Sequence, residues 1–153
     1  MADPDLGSPS LTVAGLQLWV HGRESPESQD LYDGNWLRVT GHCSASGASI
    51  WIQGSILMVT DIEQFGRECQ DLYDGKSNRA SLEPLEPELR ITLEATDRAG
   101  HMRADVEITP DHLAQMHRIR FDIDQSYLPD IIDQCAAIVT AHEVRGRPGV
   151  TER

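Results

Sequence analysis

Polar and apolar residues alternate in several separate segments of this chain, and a period of two predicts strands. Leu16, Leu18 and Val20 share one side of segment 16–21. From Trp36 to Ala45, Leu37, Val39 and Cys43 oppose Arg38, Thr40 and His42. Three later segments alternate without a break. Leu89, Ile91, Leu93 and Ala95 oppose Arg90, Thr92 and Glu94. Met102, Ala104, Val106 and Ile108 oppose Arg103, Asp105 and Glu107. Ile119, Phe121 and Ile123 oppose Arg118, Arg120, Asp122 and Asp124. With Asp97-Arg98-Ala99-Gly100 as a hairpin loop, these three predict an antiparallel meander with one dry and one wet face. Ile50-Trp51-Ile52 and Ile56-Leu57-Met58-Val59 are near-continuous apolar runs around Gly54-Ser55. They predict one strand covered on both faces, or two short strands meeting at a bend. Ser44-Ala45-Ser46-Gly47 reads as the hairpin turn before them.

Two segments switch to the helical period. Ile62, Phe65, Cys69, Leu72 and Tyr73 predict a helix over about 60–75. Thr60 and Glu63 have the spacing of a capping box at its start, and Gly75 supplies the stop. Leu128, Ile131, Ile132, Cys135, Ile138 and Val139 predict a second helix from about Tyr127 to His142, with Ser126 as its N-cap and Pro129 in its first turn. Residues 22–35 read as a long charged loop and 76–87 as a connection with two prolines. The expected fold is one α+β domain over 11–144, between a flexible leader (1–10) and a flexible tail (145–153). Its antiparallel sheet has about six or seven strands and packs two helices, one central and one C-terminal.

Gln-Asp-Leu-Tyr-Asp-Gly occurs at both 29–34 and 70–75. The first copy leads from a loop into a strand and the second ends a helix, so the repeat carries no duplicated unit.

Charge narrows the function classes. Twenty-five acidic and 13 basic residues give a formal net charge of −12. Such a field repels phosphate backbones and attracts basic partners. No apolar run is long enough to span a bilayer, and the first ten residues lack the pattern of a secretory signal, which predicts a cytoplasmic chain. Cys43, Cys69 and Cys135 are odd in number and widely spaced, against both a disulfide framework and a structural zinc site. Cys69 and Cys135 fall on helical apolar stripes and are expected to be buried. The chain has neither GxSxG, GxGxxG, the P-loop pattern nor HExxH. No catalytic residue, metal ligand or cofactor is assigned. His21 and His42 lie on neighbouring expected strands but lack a third ligand. Asp30 and Asp33 suit turn chemistry, since Asp side chains accept from nearby backbone N–H groups. Trp19 and Trp51 lie opposite the main apolar positions of their strands. Either a second layer covers that face or an aromatic patch is exposed.

The segment Gln29-Asp30-Leu31-Tyr32-Asp33-Gly34-Asn35-Trp36-Leu37-Arg38-Val39 resembles the Asp-x-Trp/Tyr-Asp-(Gly/Ala)-Asn-Trp-Leu-x-Val signature of the WapI-type immunity proteins, antidotes to bacterial polymorphic toxins. Leu82-Glu83-Pro84-Leu85-Glu86-Pro87-Glu88-Leu89 is similar to that family's EP-x-L stretch. Phe121-Asp122-Ile123-Asp124-Gln125-Ser126-Tyr127-Leu128 is similar to the family's approach to the last helix. Segment 109–116 is longer than the family's usual connection.

The resemblance implies a cytoplasmic binding protein, not an enzyme, that occludes the basic C-terminal domain of a cognate toxin, a nuclease by expectation. It defines no contact residues. The residues proposed for partner binding are Glu27, Asp30, Tyr32 and Asp33 on the acidic loop, and Glu68, Asp71 and Asp74 on the first helix. Two other readings stay open: a non-catalytic small-molecule or structural module, which requires a closed apolar pocket, and a hydrolase or metal enzyme, which requires a polar cleft joining His21, His42 and Asp33.

Overall fold

A computed structural model of the chain describes residues 4–147. The first sheet is built from β1 (Leu11–Val13), β2 (Leu16–Arg23), β3 (Trp36–Ala45) and β4 (Ala48–Met58), in that spatial order and antiparallel throughout. The second is a meander of β5 (Arg79–Leu82), β6 (Leu89–Ala95), β7 (His101–Ile108) and β8 (Arg118–Asp124). Helix α1 (Val59–Tyr73) links the sheets, and α2 (Leu128–Ala141) follows β8.

The fold is therefore α+β with two helices, but the expected single sheet of six or seven strands is corrected to two sheets of four. Two strands escaped the alternation test. β1 has only three residues, too few to show a period, and β5 lies inside a segment punctuated by prolines. The apolar runs of 50–59 form one strand that ends as α1 begins. Its bend is a register shift opposite Leu37/Arg38, beside Gly54 at φ 147°.

The inner faces of both sheets share one core. Leu16, Leu18, Leu37, Val39, Cys43 and Ile52 come from the first, and Leu82, Ile91, Leu93, Ala104 and Val106 from the second. Helix α1 lies beside β5 and α2 beside β1, and the two helices pack against each other. They close on a small residue: a Cβ at Gly66 would stand 3.0 Å from Cβ of Cys135. All three thiols are buried and free. Burial pushes Cys43 up to about 11 and Cys135 up to about 12. It raises Cys69 too, with Cys135 and Glu68 adding to the shift.

Helix starts differ from expectation by small shifts. The carboxylate that caps α1 is Asp61, which accepts the Met58 N–H at 2.8 Å, and not the Thr60–Glu63 pair. The N-cap falls on Met58, two residues before Thr60, which moves Asp61 into the position that reaches back. At the other helix a single 3-10 turn (Gln125–Tyr127) intervenes, and Asp124, not Ser126, is its capping side chain, accepting Ser126 N–H at 2.9 Å.

The expected leader and tail fall in part on residues 1–3 and 148–153, outside the described residues. Within the described parts, Gly7 O accepts Trp19 Nε1–H at 2.9 Å, Ser10 Oγ accepts Val20 N–H at 2.9 Å, and Arg145 bonds to several backbone groups described below.

Phe65 is fully buried between the sheets and the helix pair. Phe65→Ala is expected to lower unfolding stability by about 3–5 kcal/mol in chemical denaturation, through lost apolar burial and a residual cavity.

Candidate partner-binding surface

The wet face of the second sheet is charged but balanced. Register places Arg79, Glu94, Arg103 and Asp122 in one row across the four strands, and Arg90, Glu107 and Arg118 in another. Between them Asp105 faces Arg120. Asp105 is the centre of this network, with Arg120 Nε at 2.9 Å, Arg118 Nη2 at 3.1 Å and Arg103 Nε at 3.7 Å. Burial pushes the Asp105 carboxyl up, but hydrogen bonds from Arg120 and Arg118 outweigh it and hold the group below the ordinary carboxylate value. Arg79, Arg90, Arg103, Arg118 and Arg120 are matched by Glu83, Glu94, Asp105, Glu107 and Asp122. Asp124 adds one further carboxylate at the end of β8, so nearly all of the net charge of −12 resides on the rest of the chain.

Four carboxylates, Glu24, Glu27, Asp30 and Asp33, are on the loop that follows β2. This loop is held by Asn35, which is fully buried. Asn35 Nδ2 donates to Leu31 O at 2.6 Å and to Arg145 O at 2.9 Å, and Oδ1 accepts Arg145 N–H at 2.9 Å and a longer contact from Arg23 Nη1 at 3.4 Å. Both donors and both acceptor positions of the amide are thus used. Around it Arg145 Nη1 donates to Pro26 O (2.6 Å) and Ser28 O (2.9 Å), while Arg23 donates to Gly34 O and Glu143 O. Partial burial, and then the neighbouring Arg145, hold Arg23 below the ordinary guanidinium value. Two glycines let the backbones close. A Cβ on Gly34 would meet Ser28 O at 2.6 Å, and one on Gly146 (φ 73°) would meet Leu31 N at 2.5 Å.

The outcome for the proposed contact residues follows. Asp30 is a turn residue whose Oδ2 accepts the N–H groups of Tyr32 (3.2 Å) and Asp33 (3.1 Å). Glu27, Asp33 and Tyr32 point into solvent, Tyr32 at 65% exposure. On α1, Asp71 and Asp74 are exposed and Asp74 accepts from Gln70. Glu68 is half-buried: its Oε1 accepts Ser81 N–H on β5 at 3.1 Å and its Oε2 accepts from Gln64 at 2.9 Å. The loop and helix sets do not converge. Trp36 pairs with Met58 at the start of α1, and Asp71 lies twelve residues beyond Val59, roughly 18 Å along the helix axis.

The cleft required for a metal or hydrolytic centre is not formed among the described residues. His42 pairs with Gln17 across the strands, and His21 sits at the β2 bulge. His21 Nε2 bonds Thr40 Oγ1 and His42 Nε2 bonds Ser49 Oγ, each at 2.8 Å. No group of three His, Cys, Asp or Glu side chains with metal-binding proximity occurs among the described residues. His42 instead stacks on Trp51 (centroids 3.9 Å apart), which stacks on Trp19 at 6.1 Å. Burial lowers the His42 pKa, which suits a neutral ring in a stack. Trp19 is buried and Trp51 half-buried.

One feature that the sequence reading missed is an open cleft of about 770 Å³ lined by Tyr73, Gly100, His101, Asp124, Gln125 and Ser126. His101 Nδ1 lies 2.6 Å from Asp97 Oδ2 there. The hydrogen bond to Asp97 raises the His101 pKa, and the same bond lowers that of Asp97. The Asp97-x-x-x-His101 spacing across a hairpin loop was the available signal.

The Immunity protein WapI-like family matches the chain over residues 10–143. The chain belongs to that family. No curated protein and no solved structure matches it. The segment Asp30–Trp36, which carries the resemblance, has a structural meaning here: Asp30 sets the turn, Gly34 admits a neighbouring carbonyl, Asn35 joins two segments and Trp36 opens β3. Arg145 and Gly146, which complete the joint, lie beyond the matched residues.

Two outcomes are expected. Asn35→Ala leaves the Arg145 N–H and C=O unsatisfied and is expected to cost about 1–3 kcal/mol, with faster amide exchange in both 24–34 and 143–147. In an NMR titration His101 is expected to titrate above the ordinary imidazole value, and Asp97→Asn to return it toward that value. The sign is that of a raised folded-state pKa. The pair's contribution is complete below the ordinary imidazole value, is lost as pH rises through the raised one, and falls away again in acid as Asp97 protonates.

Proposed function

We propose that this chain neutralises a cognate bacterial toxin domain in the cytoplasm by binding and occluding it, without transforming a substrate. Family membership carries this reading, because the family is one of immunity proteins. Charge supports it. The negative excess lies off the balanced sheet face and is displayed in part on a loop whose backbone is fixed from two sides. Such a loop loses little freedom on binding, which favours it as a contact surface. A carboxylate-bearing loop also fits the positive cleft of a nuclease, where carboxylates stand where phosphates of nucleic acid bind.

Glu27, Tyr32 and Asp33 are the contact residues in this reading, with Asp30 shaping the turn that presents them. Asp71 and Asp74 form a second acidic patch, and Glu68 serves the α1–β5 joint.

The test uses the purified protein and the C-terminal toxin domain encoded beside it. Tight binding and protection of cells expressing that domain are expected. Reversing Glu27 and Asp33 together to Lys is expected to weaken binding about tenfold or more, mainly through slower association and with loss of its salt dependence. Reversing Asp71 and Asp74 asks the same of the helix patch. Unchanged binding after both reversals would remove the acidic surfaces from the interface. Absence of any binding would defeat the neutralising role itself.

A further inference from the structure

The four edges of the two sheets are not treated alike. β1 is three residues long, and its Thr12 N–H is taken by Gln134 Oε1 of α2 at 2.9 Å. β5 is four residues long, and its Ser81 N–H is taken by Glu68 Oε1 of α1. β8 carries a charge at every second position: Arg118, Arg120, Asp122 and Asp124. These are the usual means by which folded chains keep a sheet edge from pairing with another chain. β4 has none of them. It runs eleven residues, Ala48–Met58, with no charge and no proline.

Its hydrogen-bond phase can be read from its neighbour. Ser44 N–H donates to Gly15 O, so Ser44 faces β2, and Cys43 and Ala45 face β4. Ala48, Ile50 and Ile52, which pair with Ala45, Cys43 and Gly41, are therefore the residues bonded to β3. Ser49, Trp51 and Gln53 turn their N–H and C=O groups outward, and no other described segment accepts from or donates to them. Their side chains lie on the outer face, where Trp51 stands in the stack with His42 and Trp19. Backbone groups in a row and a rigid aromatic beside them are the two elements of strand addition: the first gives affinity and the second an anchor.

We propose that β4 is a docking edge, on which an extended segment of the partner protein adds as a fifth strand, bonded to Ser49, Trp51 and Gln53 with its side chains against Trp51. This rests on the toxin-neutralising reading and adds a second contact to the acidic loop. Charge selects the occupant. Two copies of a chain with net charge −12 repel each other, whereas a basic partner is attracted.

Amide hydrogen exchange tests the proposal on the full chain, alone and with the neighbouring-gene toxin domain. In the free protein the amides of Ser49, Trp51 and Gln53 are expected to exchange fast while those of Ile50 and Ile52 are protected. In the complex all five are expected to be protected. Gln53→Pro removes one outward N–H at a position where an edge strand tolerates proline. It is expected to leave the thermal transition within a few degrees and weaken binding about tenfold or more, whereas Gln53→Ala binds as the parent does. Should Gln53→Pro unfold the chain, the exchange measurement on the parent protein decides alone. A complex in which the three outward amides still exchange fast overturns the docking edge and leaves the neutralising function standing. Protection that grows with concentration of this chain alone assigns the edge to a second copy and also overturns it. Failure to bind the toxin domain at all removes both readings.

Discussion

One carboxamide governs how this molecule presents its most acidic loop. Asn35 is fully enclosed and makes three hydrogen bonds to two segments far apart in sequence, the loop at Leu31 and the chain at Arg145, with Arg23 at its remaining acceptor position. A buried amide with an open valence costs free energy, so the two segments are stable only together. Around this point the arginines donate to backbone carbonyls, Arg23 from β2 and Arg145 from beyond α2. Their charge is used to hold the frame while the carboxylates of Glu27 and Asp33 remain free. Without the joint, the same residues would be an ordinary mobile acidic loop, and its ordering would count against binding.

Charge elsewhere is arranged for a different end. The outer face of the second sheet alternates sign across its strands and sums nearly to neutrality, which makes it a solvated wall of modest electrostatic reach. Exposed pairs of this type add little stability. Their consequence is for the long-range field: the net negative potential originates on the remaining surface.

Much of this was legible in the order of residues. β3, the meander and both helices follow from periods of two and 3.6, and their limits fall within a residue or two of expectation. The signature around Asp30–Val39 pointed to the family now matched over 10–143. What the alternation could not show was the division into two sheets, because β1 and β5 are too short to carry a period and pairing partners are not encoded locally. Nor could it show that the loop and helix carboxylates sit at opposite ends of α1, or that Glu68 turns inward to Ser81. The role of Asn35 was hidden for a related reason. Its defining partner is more than a hundred residues away, and nothing near Arg145 announces it.

That separation has a bearing on synthesis. Every strand and both helices precede Arg145, so a nascent chain that has emerged only through α2 can already assemble its sheets while the acidic loop is still without its lock. Arrival of Arg145 from the ribosome is the event that sets the loop. The loop thus takes its fixed shape only after the scaffold that supports it has been made.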